Sequence, residues 1–241
     1  MRIIKVKDYD EMSNIAATMV SGQVLLKPDS VLGLATGDTP LGMYQKLVME
    51  HNQGKIDFSE IKTFNLDEYY GIPKTNQQSY YYYMMENFFR YINIKKENIH
   101  IPDGMAPEIE KECISYEKKI KETNGIDLQI LGIGVNGHIG FNEPDVNFEA
   151  ETHLVSLDEK TIQSNARFFS SIEEVPTKAI SMGIKTILNS KKILLLANGN
   201  AKAAAIAQMV NGSISSEMPA SILQLHKDVT IIVDETAGAR L

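Results

Sequence analysis

The chain has 241 residues, with 24 Lys and Arg against 31 Asp and Glu, so its formal charge is −7, a balance that excludes a broadly basic nucleic-acid binder. Hydrophobic residues make up 43% and charged residues 23%, the mix of a chain that buries a core and not of a disordered one. No apolar run approaches the roughly 18 residues that span a bilayer. The start, Met1 to Asp8, lacks the apolar stretch of a signal peptide, so a cytoplasmic protein without a membrane partner is expected.

Short apolar, β-rich runs alternate with longer stretches of helical period, the pattern of a parallel sheet with crossover helices. The expected strands are 2–6, 31–35, 61–66, 128–133, 192–197 and 229–233, with a weaker one at 178–182. Helices are expected near 9–26, 40–53, 77–91, 107–124, 158–164, 184–189 and 201–211. The fold class is therefore α/β, a three-layer Rossmann-like open sheet, mostly parallel, with helices on both faces. Neither a repeat nor a Pro/Gly/Ser linker divides the chain, so residues 1–241 read as one domain. The long irregular stretch from 134 to 157 is the kind of loop that carries function, and a lid is expected around 145–182.

All strands of a parallel sheet point the same way, so the segments that follow them gather on one edge, where open α/β sheets bind their ligands. Four segments qualify: Thr36-Gly37-Asp38-Thr39-Pro40, Asp67-Glu68-Tyr69-Tyr70-Gly71, Gly134-Val135-Asn136-Gly137-His138 and Asn198-Gly199-Asn200-Ala201-Lys202. In the first, Thr39 is placed to cap a helix with Pro40 at its first position, and the unpaired N–H groups suit a phosphate dianion; an ordinary capped turn is the competing account. Asp38 would repel such an anion unless it turns outward. The letters Gly132-Ile133-Gly134-Val135-Asn136-Gly137 match a dinucleotide fingerprint, but Gly140 and Pro144 forbid the long helix that it must open. What remains is a glycine-rich loop carrying Asn136, His138 and Glu143, an acid/base set. Asp67 and Glu68 leave a strand in opposite directions, so at most one faces the crevice; a solvated acidic turn is the plainer reading of the pair taken alone. Lys202 opens a helix where a cation does not help the dipole, which points to a phosphate partner, and Arg167 is a second candidate clamp, an exposed lid arginine being the competing account.

Other conspicuous features read as packing. The run Tyr80 to Tyr83 with Met84, Met85, Phe88 and Phe89 covers more than one helix face. His51, His100 and His226 occur singly, and the lone cysteine, Cys113, lies in a helical context, so no metal site and no internal disulfide are expected.

The segments Leu34 to Pro40, Phe64 to Tyr69, Gly132 to Pro144, Asn165 to Phe169 and Gly199 to Ala203 resemble those of the glucosamine-6-phosphate deaminase family, and the likeness covers nearly the whole chain. The broader superfamily also holds 6-phosphogluconolactonases. The Asp67-Glu68-Tyr69 turn and the stretch Gly140 to Pro144 favour the deaminases. The resemblance implies conversion of glucosamine 6-phosphate to fructose 6-phosphate and ammonia, with no organic cofactor and a small amino-hexose phosphate as partner. It implies Asp67 as the base acting between C2 and C1. It implies His138 as the group that opens the ring, with Asn136 and Glu143 orienting it or relaying through it. The substrate-binding set expected with it is Thr36, Gly37, Asp38, Thr39, Gly137, Arg167 and Lys202. Two alternatives stay open, a lactonase and a sugar-phosphate sensor domain that keeps the pocket without chemistry.

Two departures from the family matter. Asn136 stands where some members carry an aspartate. Members activated by N-acetylglucosamine 6-phosphate carry basic residues at places matching His153 and Val155, whereas the stretch from Asp145 to Val155 is acidic here. No activation by that effector is expected.

Overall fold

The computed structural model describes every residue except Arg167, Phe168 and Ser170. From the start the chain forms β1 (Arg2–Val6), α1 (Tyr9–Leu26), β2 (Val31–Leu34), α2 (Asp38–Asn52), β3 (Lys62–Asn65), β4 (Asp67–Tyr69), α3 (Tyr80–Asn87) and β5 (Ile99–His100). There follow α4 (Ile109–Glu122), β6 (Leu128–Leu131), β7 (His153–Ser156), α5 (Glu159–Asn165) and β8 (Lys178–Ser181). The last elements are α6 (Ile184–Leu188), β9 (Lys192–Ala197), α7 (Ala203–Asn211) and β10 (Val229–Asp234). Seven strands make one parallel sheet in the order β1-β10-β9-β6-β2-β3-β5.

The central strands are apolar at nearly every position because both faces of the sheet are covered. Leu32, Leu34, Ile130, Leu194, Leu196 and Ile232 pack with Met12, Ala16 and Val20 of α1 and Met43, Tyr44 and Leu47 of α2. The alternate residues Val31, Leu131, Leu195 and Ile231 face the other layer, with Tyr116 and Ile120 of α4 and Ile206 and Met209 of α7. Helix α1 starts where it was expected because Asp8 accepts from the N–H of Glu11 at 3.0 Å while Glu11 accepts from the N–H of Lys7 at 2.7 Å. An N-cap of this kind is worth about 1 kcal/mol. At the amino edge of the sheet, buried Asp127 accepts from Lys27 at 2.5 Å, Lys191 at 2.7 Å and the N–H of Val31 at 2.8 Å. One carboxylate there ties together the chain entering β2, β6 and β9.

A second, antiparallel sheet, β4-β8-β7, was not expected. The segment read as a single strand over 61–66 leaves the large sheet at Leu66, whose N–H donates to Leu34 at 2.9 Å and whose carbonyl accepts from Met182 at 2.7 Å. Beyond it Asp67 pairs with Ser181 and Tyr69 with Ala179. Asp67 therefore sits on backbone fixed by two sheets. Strand β7, lying within the stretch read as irregular, completes the small sheet. Helix α2 begins at Asp38 and not at Pro40; Gly37 is its N-cap and makes no side-chain cap. Thr39 instead donates to Asn198 at 2.9 Å.

Candidate active site

Three tyrosine hydroxyls set the loop between β2 and α2. Tyr44 donates to the carbonyl of Ala35, Tyr83 to that of Gly37 and Tyr9 to that of Asp38, each at 2.7 Å. In a trans peptide the N–H points opposite to the carbonyl, so the amides of Thr36, Asp38 and Thr39 are turned away from the tyrosines. These residues line a cavity of about 620 Å³ at the carboxyl edge of the large sheet. The first-turn amides of a helix have no intrahelical acceptor and carry partial positive charge. The carboxylate of Asp38 is exposed and heads α2, where the helix dipole favours it.

Asp67, Asn136, His138 and Lys202 line the same cavity. Four loops remote in the chain thus meet at one place. Asp67 is 7% exposed, and its carboxyl is pushed up to about 8, first by burial and then by the adjacent Glu68. Glu68 is 2% exposed and faces away from the cavity, so the pair is not a solvated turn. Its Oε1 accepts from the N–H groups of Tyr69 and Tyr80 and its Oε2 from that of Tyr81, all at 2.8 Å. Burial pushes the Glu68 carboxyl up to about 7 against the opposing pull of those donors.

His138 is held through Nδ1, 3.0 Å from Oε2 of Glu143. Asn136 donates to the same oxygen at 2.7 Å, and Thr161 of α5 donates to Oε1 at 2.6 Å. Burial works to raise Glu143, but the bonds from His138, Thr161 and Asn136 outweigh it and hold the carboxyl below the usual range. Glu143 does not line the main cavity; it acts on it through the imidazole. The loop is rigid for identifiable reasons. A side chain at Gly134 would stand 2.4 Å from Cε1 of His138, so only glycine lets the ring lie against the backbone. Phe141 donates to Ser181 at 3.0 Å, and Asn142 to Ile139 at 2.8 Å and Met182 at 2.9 Å.

Of the expected substrate contacts, Thr36, Gly37, Asp38, Thr39 and Lys202 reach the cavity. Gly137 does not: its φ is +87°, its N–H donates to Gly134 at 3.0 Å, and its α-carbon packs on Met218. Arg167 lies outside the described residues. Lys202 is the N-cap of α7, which starts at Ala203, so the lysine stands just ahead of the helix it was expected to open. Sequence reasoning missed Tyr80, Phe141, Thr161 and Asn198 in the lining. Tyr80, read as packing, stacks on Phe141 at 6.1 Å and lies 4.8 Å from Tyr69, forming one wall. Among the described residues no group of three or more His, Cys, Asp or Glu side chains is arranged to hold a metal ion.

Comparison with known proteins follows the same outline. A profile for glucosamine-6-phosphate isomerases and 6-phosphogluconolactonase matches residues 11–232. The chain belongs to this family. Among members of the glucosamine-6-phosphate isomerase and 6-phosphogluconolactonase family, it is 65% identical to a glucosamine-6-phosphate deaminase of Clostridium botulinum, covering 100% of this chain and 99% of the relative. It is 64% identical to that of Clostridium acetobutylicum over the full length of both. Its backbone is similar to that of a monomeric glucosamine-6-phosphate deaminase, with a TM-score of 0.98 at 46% identity and full coverage of both chains. The 6-phosphogluconolactonase of Thermotoga maritima shares the fold at a TM-score of 0.77 and 22% identity, covering 97% of this chain and 99% of that one. No helix among the described residues is long and apolar enough to cross a membrane.

Proposed function

We propose that this chain is an isomerising glucosamine-6-phosphate deaminase, releasing ammonia and fructose 6-phosphate, with Asp67 and His138 as its acid/base groups. The observation that carries the reading is that Asp67, His138, Lys202 and the amides heading α2 open into one cavity. The family relatives named for this activity support the same conclusion.

The phosphate group docks on the first-turn amides of α2 and on Lys202, which supply local attraction that a chain of charge −7 lacks at long range. The likeness of Asn165 to Phe169 to the family's segment assigns Arg167 to the same phosphate. With its Nδ1 proton directed at Glu143, His138 turns Nε2 to the cavity, and the carboxylate behind it stabilises the imidazolium that gives the ring oxygen its proton. Ring opening exposes the C1 aldehyde, and only then is the C2 proton acidic enough for a carboxylate. Asp67 takes that proton and returns it to C1, while the C2 ammonium gives up one proton and the C1 oxygen gains one, leaving an imine at C2. Water adds to the imine and ammonia departs. Every step is a proton transfer or a hydrolysis, so the balance requires no redox partner. The high basicity of buried Asp67 suits abstraction from carbon better than an ordinary carboxylate would. Within 145–182, β7 and β8 belong to the small sheet, so the lid role falls to the part around α5, whose Thr161 lines the cavity and donates to Glu143.

The deciding experiment is release of ammonia from glucosamine 6-phosphate, run beside hydrolysis of 6-phosphogluconolactone. Turnover of the amino sugar alone is expected. Turnover of the lactone alone would replace this reading with the hydrolase, and binding without turnover of either would leave a sensor.

A further inference from the structure

Of the buried carboxylates that the mechanism leaves unused, Glu68 is the one adjacent to Asp67. Glu68 stands behind Asp67 on β4 and takes three N–H donors, two of them the first amides of α3. The next amide of that helix, Tyr82, is met by Ser79 at 3.0 Å. A side chain at position 104 would stand 2.1 Å from the carbonyl of Tyr69 and 3.3 Å from Cγ of Glu68, so only Gly104 lets that loop lie against β4 at this point. Through the amide of Tyr80, Glu68 also sets the ring that walls the cavity against Phe141.

We propose that Glu68 is a positioning residue for the proton transfer, holding the strand that carries Asp67 and the aromatic wall beside it, and setting a fixed negative charge behind the base. Of the two adjacent carboxyls Glu68 ionises first, because three N–H donors stabilise its charge. Asp67 then retains its proton until higher pH and, once ionised, is the stronger base. Other groups around Asp67 do not duplicate this effect. Tyr69 on β4, Tyr80 on α3, Tyr44 on α2 and Tyr116 on α4 are all held by burial above the ordinary phenol range, so they stay neutral near neutrality. Ser181 on β8 does not titrate, and His138, Asp38 and Lys202 border the same cavity on other elements, so exchanging Glu68 leaves them in place.

The inference rests on Asp67 being the base, so Asp67→Asn is measured first; a variant that keeps its turnover would remove that reading. With it standing, the test is the pH profile of kcat/KM for Glu68→Gln beside Ser79→Ala. The glutamine variant deletes the charge and sets an amide against the N–H of Tyr81. Its acid limb should move down by roughly one pH unit, with kcat falling more than KM changes. Ser79→Ala loosens the same helix end without touching charge, so its limb should stay where the parent's is. A glutamine variant that loses thermal stability with an unmoved limb would make Glu68 a helix cap and nothing more. Should that variant not fold, carboxyl carbon NMR of the parent protein decides. An Asp67 resonance with two inflections, one tracking Glu68, supports the coupling, and a single independent step overturns it.

Discussion

Oε2 of Glu143 lies 3.0 Å from Nδ1 of His138, and this one contact divides the work between the two ring nitrogens. A carboxylate only accepts, so Nδ1 carries the proton and Nε2 is left for the cavity. Glu143→Gln can present an amide N–H to Nδ1 and so favour the opposite tautomer. We expect kcat to fall about 10²-fold with a smaller change in KM. Steady-state ammonia release checks this, and an unchanged kcat would show that the contact does not orient the ring.

Asp67→Asn keeps the size and burial of the side chain but cannot take a proton. Turnover should drop by about 10²–10⁴-fold, the usual value of a general base. Circular dichroism and a melting curve of the same sample establish that the loss is chemical.

The same substitution should make the protein more stable in alkaline conditions. In the folded chain the Asp67 carboxyl is held at about 8, against an ordinary 3.8. Between those values the folded state binds the extra proton, so stability is present in full below pH 4 and declines as pH rises towards 8. Asparagine has nothing to ionise. The difference in unfolding free energy between variant and parent should grow from pH 5 to pH 8 in the variant's favour, by about 1–3 kcal/mol. Urea titrations at three pH values measure it, and a constant difference would contradict the buried, protonated acid.

Lys202→Met removes a cation from the cavity and keeps much of its apolar stem. KM for the sugar phosphate should rise about tenfold or more, and its dependence on ionic strength should flatten. Rate measurements at low and high salt check both. A rise in KM with the salt dependence intact would place the phosphate elsewhere.

A smaller cavity of about 200 Å³, sharing Phe141 with the main one, includes His153 and Val155, the positions where the family resemblance led us to look for effector-binding basic residues. Here its lining includes Glu143, Asp145, Glu149 and Asp158, and among the described residues no Lys or Arg. Added N-acetylglucosamine 6-phosphate should leave the saturation curve hyperbolic and the half-saturation unchanged. A marked fall in half-saturation is the contrary result.

Local signals carried much of the fold. Helix α1 and strand β9 have the boundaries read from the residues, because a cap at Asp8 and a turn at Asn198-Gly199 punctuate strong apolar patterns. Strands β4, β5 and β7 were not legible, being two to four residues long and defined by their neighbours. Asp67-Glu68-Tyr69 read as solvated because nothing local reveals that α3 lends its amides to Glu68. Tyr80 was set aside for a related reason: composition places it in a cluster, and only the third dimension shows that one edge of that cluster is a wall of the cavity. That Asp67, Asn136, His138 and Lys202 would share one cavity was legible because the parallel order of the large sheet collects the segments beyond its strand ends.

The Asp127 fastening has a consequence for the history of the fold. It clasps three strand entrances at the rim opposite the chemistry, with no residue in common with the cavity. A scaffold buttoned at its base can have its upper loops rewritten without coming undone. A lactonase at 22% identity wears the same frame, as that arrangement would permit.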